Sequence, residues 1–390
     1  MMRRRTLPIC LLILTALASR AAEVTAIVGV NVVPMDSERV LAGQTVVVAD
    51  GRIARLGRDE DVAVPPGAQV VQGRGRWLLP GLIDMHVHIR TADLPRYVEN
   101  GITTVRDLAG LDHVLRDAAL VEQGELFGPR ILASSMLLTG PHPQNPEFSL
   151  PVTRASDAAG VVDQQLARGA RSIKVYDELS LAVYDAIVTA AHARGVKVAG
   201  HVSRFVAVRH AMVMQDSIEH LSGYPLDDPF DDTPNDKAAM AAASRMSGVW
   251  NCPTLYVFTA WVTRDMPEPG RGLFLEQRRA LVTALHAAGA RLLAGTDAGY
   301  LVPAGTSLHE ELAELAAAGL TPFEVLSAAT RAPAEYLEDA SIGVVAEGAR
   351  ADLVLVERNP LEDLSVLRRP SAVMLHGRWI SYARRRSARH

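Results

Sequence analysis

Six residues of the kinds that ligate metal ions recur at the ends of apolar runs along this chain. The first two are His86 and His88, in Leu79-Pro80-Gly81-Leu82-Ile83-Asp84-Met85-His86-Val87-His88. Alternate side chains of a β-strand share a face, so two histidines one residue apart can offer both imidazoles to one cation. The same spacing also suits a pH-sensitive pair. Further on, Lys174 lies inside Ser172-Ile173-Lys174-Val175, and His201 follows Val198-Ala199-Gly200. His220 ends Ser217-Ile218-Glu219-His220, and Asp297 sits in Gly295-Thr296-Asp297-Ala298-Gly299. Singly, each has an ordinary explanation: His201 as a core histidine, Lys174 as half of a buried salt bridge, Asp297 as the cap of a turn. Lys174 is the sharpest of them, because a lysine on a buried strand must be neutral or paired.

The elements that would position these residues are short β-branched runs alternating with longer Ala- and Leu-rich segments. Strands are expected at Leu82 to His88, Thr103 to Asp107, Arg130 to Leu138, Ser172 to Val175, Val196 to His201, Ser217 to His220, Trp250 to Leu255 and Arg291 to Thr296. Eight strands with helices between them predict an α/β fold, a closed parallel (β/α)8 TIM barrel. Ser180 is placed to cap a helix over Leu181 to Arg194 that stops at Gly195, and Thr321-Pro322-Phe323-Glu324 has the layout of a capping box. In a parallel barrel the carboxyl ends of all strands open on one face, so the six residues converge there although distant in sequence.

The two ends of the chain read differently. Val46-Val47-Val48-Ala49 runs through Asp50-Gly51 into Arg52 to Leu56, and Ala372 to Leu375 runs through His376-Gly377 into Arg378-Trp379-Ile380, both hairpin layouts. They predict a small β-sandwich module built from residues 22–79 and 341–383, flanking a barrel over 80–340, with a basic tail at 384–390. Residues 1–21 resemble a signal peptide: Arg3-Arg4-Arg5, the apolar stretch Leu7 to Ala18, then small residues. That expectation implies export, to a periplasm or the medium, without stable membrane insertion once the signal is removed. Cys252 would then be alone in the mature chain, and structural burial is its expected role.

With 390 residues, 48% of them hydrophobic, there is material for one large core plus a smaller module. The formal charge of -4 and the scarcity of aromatics, 5%, exclude any electrostatic or stacking case for nucleic acid. The expected partner is a small-molecule substrate; homo-oligomerisation is left open.

Together, Leu79 to His88, Gly200-His201-Val202, Ser217 to His220, Gly295-Thr296-Asp297 and the return Gly348-Ala349-Arg350-Ala351-Asp352-Leu353-Val354 resemble the amidohydrolase superfamily, over nearly all of the mature sequence. Lys174 and the IEH and GTDAG segments are most similar to the branch of prolidases and imidazolonepropionase-like proteins. Lys174 is followed by Val175-Tyr176-Asp177-Glu178, which departs from the glycine-containing loop of the peptidases. The resemblance implies two divalent metal ions, zinc foremost. His86, His88 and Asp297 would hold one, His201 and His220 the other, and a carboxylated Lys174 would bridge them. It also implies attack by a hydroxide generated on the metals, with Asp297 moving the proton to the leaving amine.

For the substrate, His142 in Thr139-Gly140-Pro141-His142-Pro143 is a candidate catalytic residue beside Asp297 and Lys174; Arg204, Tyr224 and Tyr176 are candidates for substrate binding. The expected reaction is hydrolysis of the amide bond of a dipeptide, of Xaa-Pro type or similar, or of an N-acyl amino acid. Hydrolysis of a cyclic amide, a lactone or another ester is the alternative, and a non-catalytic scaffold on the same barrel is a second. The acidic cluster Asp227, Asp228, Asp231, Asp232 and Asp236 reads as a solvated loop or lid.

Overall fold

The computed structural model describes residues 24–224, 237–265 and 267–382. The signal-like segment 1–21, the acidic cluster from Asp227 to Asp236 and the basic tail 384–390 lie outside the described residues.

Eight strands run parallel and hydrogen-bond in chain order: Leu82–Val87, Ile102–Asp107, Arg130–Thr139, Ser172–Val175, Val198–Gly200, Ser217–Glu219, Trp250–Cys252 and Arg291–Leu292. A short ninth strand, Ser149–Pro151, pairs beside the third. Backbone bonds from Met85 N to Ala294 O (2.9 Å) and from His88 N to Ala298 O (2.7 Å) join the first strand to the segment after the eighth, so the sheet curls back on itself. The architecture is TIM-barrel-like. The late strands are shorter than the sequence predicts. The segments after Cys252 and Leu292 leave the ladder before Thr254 and Asp297, both of which have positive φ (49° and 58°).

Helices between the strands bury their apolar stripes on the outside of this sheet. Helix Leu181–His192 is typical, burying Val183, Tyr184, Ile187, Val188, Ala190 and Ala191. Ser180 sits at its N-cap position but makes no side-chain capping bond, whereas Thr321 and Glu324 form the full capping box. Strand residues Val105, Ile173, Val198 and Ile218 share one apolar cluster with helix residues Ile187, Leu281, Leu308 and Leu312. Such side chains each contribute about 1.5–3 kcal/mol on burial, which makes this layer the rigid support on which strand ends are held.

The chain ends form a second, mostly antiparallel sheet of eight strands. Its central strand, Trp77–Pro80, pairs with Thr25–Val32 on one side and with Leu353–Val356 on the other, then leads directly into the first barrel strand. The sequence predicts a β-sandwich here; the hydrogen bonding links its strands into one path, in which Trp77–Pro80 joins the two terminal segments edge to edge. Ile27, Val46, Leu353 and Met374, from both terminal segments, share one apolar cluster. Both hairpins turn on pairs with positive φ, Asp50-Gly51 (51° and 72°) and His376-Gly377 (51° and 77°), as two-residue hairpin turns require. Among the described residues no helix is long and apolar enough to cross a membrane.

Candidate metal centre

His86, His88, Lys174, His201, His220 and Asp297 all line one cavity of about 430 Å³ at the carboxyl ends of the barrel strands. The ring centroids of His86 and His220 lie 4.5 Å apart, those of His201 and His220 4.9 Å, and those of His86 and His88 5.5 Å. Asp297 Oδ1 lies 2.9 Å from His88 Nε2 and 3.4 Å from His86 Nε2. Ligand atoms of His86, His220 and Asp297 fall within 4.8 Å of one another.

The backbone works to bring them there. His220 and Asp297 both adopt left-handed φ (61° and 58°), which turns each side chain off the strand alternation. A non-glycine residue in this region costs on the order of 1–3 kcal/mol, a strain concentrated at functional sites. Asp84, wholly buried, accepts from Thr296 Oγ1 (2.7 Å) and Thr296 N (3.1 Å), tying the first strand to the turn that carries Asp297.

Three of the imidazoles lean on a partner through Nδ1, leaving Nε2 for the cavity. His86 Nδ1 is 2.8 Å from Glu219 Oε2, His220 Nδ1 is 2.7 Å from Thr254 Oγ1, and His201 Nδ1 is 3.4 Å from Asp177 Oδ1. Burial pushes all three rings down, His86 to about 4, with the Lys174 ammonium adding to the effect on His86. They are therefore neutral donors of lone pairs near pH 7. Among the described residues His86 Nε2 and His88 Nδ1 are buried without a hydrogen-bond partner.

Lys174 is 1% exposed, and among the described residues no carboxylate makes an ion pair with it. Burial pulls its amine down to about 8. An unpaired, easily neutralised amine at the base of a cavity is the form that adds carbon dioxide, and the resulting carbamate would be an anionic oxygen ligand. Neutral imidazoles, one carboxylate, orphaned ring nitrogens and this lysine make a donor set that fits divalent cations.

The remaining wall is Leu137, Asn145, Glu147, Phe148, Tyr176, Tyr300 and Leu301. Tyr176 stacks on His201 at 4.2 Å, and its hydroxyl is pushed up to about 12 by burial. The other substrate candidates lie elsewhere. His142 is exposed and outside the cavity lining; Arg204 is exposed and paired with Glu178 at 3.0 Å; Tyr224 is buried with its hydroxyl donating to Asn251 Oδ1 at 2.6 Å. Cys252 is buried and its thiol is pushed well up by burial, in keeping with a structural role.

Sequence reasoning passed over Asp84, Arg106, Glu219 and Thr254, which hold the ligand set, and Phe148 and Tyr300, which wall it. Three carried a signal: Asp84 in Leu82–Val87, Arg106 in Ile102–Asp107 and Glu219 in Ser217–Glu219 are charges on wholly buried strands, and each therefore demands a partner.

The pattern of the amidohydrolase family matches residues 77–380. Ochratoxinase of Aspergillus niger is 25% identical over 430 residues, covering 90% of this chain and 85% of the relative. Adenine deaminase of Paracoccus denitrificans is 34% identical over 125 residues, 28% of this chain but only 21% of the deaminase. Among solved structures, bottromycin amidohydrolase superposes with a TM-score of 0.78 at 29% identity, covering 92% of this chain and 87% of that one. A putative prolidase from Bifidobacterium longum gives 0.77 at 27%, covering 92% and 94%. A barrel-like sheet with ligand-type residues at its strand ends, and a family pattern running from the Trp77–Pro80 strand of the terminal sheet through the barrel and back into that sheet, place this chain in the amidohydrolase family, as a hydrolase of carbon–nitrogen bonds.

Proposed function

We propose that the protein is an exported, binuclear metal-dependent amidohydrolase that cleaves the amide bond of a dipeptide or an N-acyl amino acid. The observation that carries this is the meeting of six ligand-type side chains from five different strands in one cavity. Its similarity to a putative prolidase and to bottromycin amidohydrolase supports amide substrates. Export rests on the signal-like residues 1–21.

His86, His88 and Asp297 would hold one cation, His201 and His220 the other, with Lys174 as the carboxylated bridge. When bound, the ions supply Lewis-acid polarisation of a carbonyl and acidify water to give a nucleophile near neutral pH. The chain's own contributions are positional. Asp297, which touches His86 and His88 and faces the cavity, takes a proton from the attacking water and returns it to the leaving amine. Phe148, Tyr300 and Leu301 present an apolar wall to the substrate's side chain.

Elemental analysis of the purified protein and of Lys174→Ala, both prepared with bicarbonate, tests the reading. About two ions per chain in the wild type, with fewer in the variant, support it. A panel of dipeptides, N-acyl amino acids, cyclic amides and lactones then separates amide hydrolysis from its alternatives. Full activity after exhaustive metal removal sinks the proposal.

A further inference from the structure

The imidazoles of the proposed centre differ in what lies behind them. His220 rests on a hydroxyl, and His201 on a partly exposed carboxylate. His86 rests on Glu219, and both side chains are completely buried. Glu219 is itself held: its Oε1 accepts from Arg106 Nη2 at 2.8 Å and from Ser217 Oγ at 2.6 Å, while Oε2 faces His86 Nδ1 at 2.8 Å. Arg106 is 2% exposed and is fixed in turn by Met85 O (2.6 Å) and Ser217 Oγ (3.1 Å).

We propose that Glu219, anchored by Arg106, is a positioning residue that holds His86 as the Nδ1–H tautomer, so that its Nε2 lone pair faces the cavity as a cation ligand. The proposal rests on the metal reading above. A neutral imidazole has one N–H and one lone pair, and the hydrogen bond at one nitrogen decides the role of the other. A carboxylate paired with a guanidinium is an acceptor only, so the proton between Glu219 and His86 belongs to Nδ1. That leaves a lone pair on Nε2, which is buried, has no hydrogen-bond partner among the described residues and lies 3.4 Å from Asp297 Oδ1, the carboxylate oxygen of the same proposed cation site. Fold stability alone is a weak reason for this arrangement, because a buried ion pair is typically no better than apolar side chains of the same volume. Positioning a ligand is a use that apolar residues cannot supply.

Glu219→Gln separates the two roles. Glutamine has one acceptor oxygen and cannot serve both His86 N–H and Arg106. If the oxygen stays with Arg106, the amide donates to Nδ1 and His86 is forced into the Nε2–H form, which cannot ligate through Nε2.

The expected result is about a 10–100-fold loss of affinity for one zinc equivalent, read by competition with a chromophoric chelator. The second readout is the tautomer in metal-free wild-type protein, from nitrogen NMR of histidine-labelled material with the His86 signals assigned by their loss in His86→Asn. A ring protonated at Nδ1 supports the proposal. A ring protonated at Nε2 overturns it, as does Glu219→Gln with wild-type affinity for both equivalents. Should Glu219→Gln fail to fold, the wild-type spectrum still decides. A wild-type protein that takes up no zinc overturns the metal reading itself, whereas zinc uptake with an Nε2-protonated His86 overturns only the positioning role.

Discussion

Thr296 is hydrogen-bonded to Asp84 twice, through Oγ1 to Oδ2 at 2.7 Å and through its backbone N–H to Oδ1 at 3.1 Å, across the seam where the curled sheet meets itself. Asp84 and His86 lie on one strand, and Thr296 directly precedes Asp297. This pair therefore sets the distance between the HxH strand and the carboxylate that faces it.

Asp84→Ala removes the carboxylate that takes both Thr296 bonds in a site with no exposure to water, leaving Thr296 N with His86 O at 3.1 Å and Thr296 Oγ1 with the same oxygen at only 3.5 Å. Losing the better acceptor of these buried donors costs about 1–3 kcal/mol, to be read by urea unfolding of the metal-free protein. Thr296→Val removes one of the two bonds and is expected to cost less. The two changes should be non-additive in the double variant, since they share the interaction. An Asp84→Ala protein within about 0.5 kcal/mol of wild type would mean that the seam is held by its backbone ladder alone.

Gly295 is required by space. A Cβ there would overlap Cys252 Sγ and stand 2.9 Å from both the Cβ and the N of His86. Neither the buried thiol nor the strand backbone can retreat without disturbing the other. Gly295→Ala should lower stability by about 1–3 kcal/mol, the usual penalty of overpacking, and should weaken zinc binding because the atoms it pushes belong to His86. Unchanged zinc content in a destabilised variant would show that Cys252 absorbs the strain.

These contacts mark where the sequence stops being informative. His86-Val87-His88, Lys174 within Ser172–Val175, and the Asp50-Gly51 and His376-Gly377 turns are legible because strand alternation and turn chemistry are local rules. Their meeting in one cavity follows once the strands are ordered around a barrel-like sheet. What the local rules cannot supply is pairing across the barrel: Asp84 with Thr296 is separated by 212 positions, His86 with Glu219 by 133, and Arg106 with Glu219 by 113. How the terminal strands pair is beyond local rules too: alternation predicts strands, and it is silent on Trp77–Pro80 joining the two terminal segments edge to edge.

Substrate residues show the same divide. Arg204, chosen for following a strand that ends in a ligand, is exposed and occupied by Glu178. Phe148 and Tyr300 carried no local signal, yet they meet edge-on at 5.3 Å beside His88. Tyr300→Ala is expected to raise KM by about 3–10-fold with a smaller change in kcat, the scale of one aromatic contact. Arg204→Ala is expected to change kcat/KM by less than about threefold, since an exposed pair contributes little. Steady-state kinetics on a cleaved substrate checks both, and a KM that responds only to Arg204→Ala would restore that residue to the substrate site.

His309 makes a prediction about acid stability away from the metal centre. It lies on helix Thr306–Ala317 and is 5% exposed. Burial first, and the Arg368 cation second, push the ring down to about 4, while the Asn100 backbone and then the Glu310 carboxylate pull the other way. In the unfolded chain a histidine titrates near 6.5. Above about pH 6.5 neither state binds the proton and stability is at its full value. As pH falls from about 6.5 to 4 the unfolded chain accepts a proton that the folded one refuses, so stability is lost across that window, approaching about 3 kcal/mol for this group. His309→Leu removes the proton without changing the other titrating groups. The drop in unfolding free energy between pH 7 and pH 4.5 should therefore be about 2–3 kcal/mol smaller in the variant than in the wild type. An equal drop in both proteins would mean that His309 accepts its proton in the folded state, with the Asn100 backbone, Glu310 or water holding the charged ring.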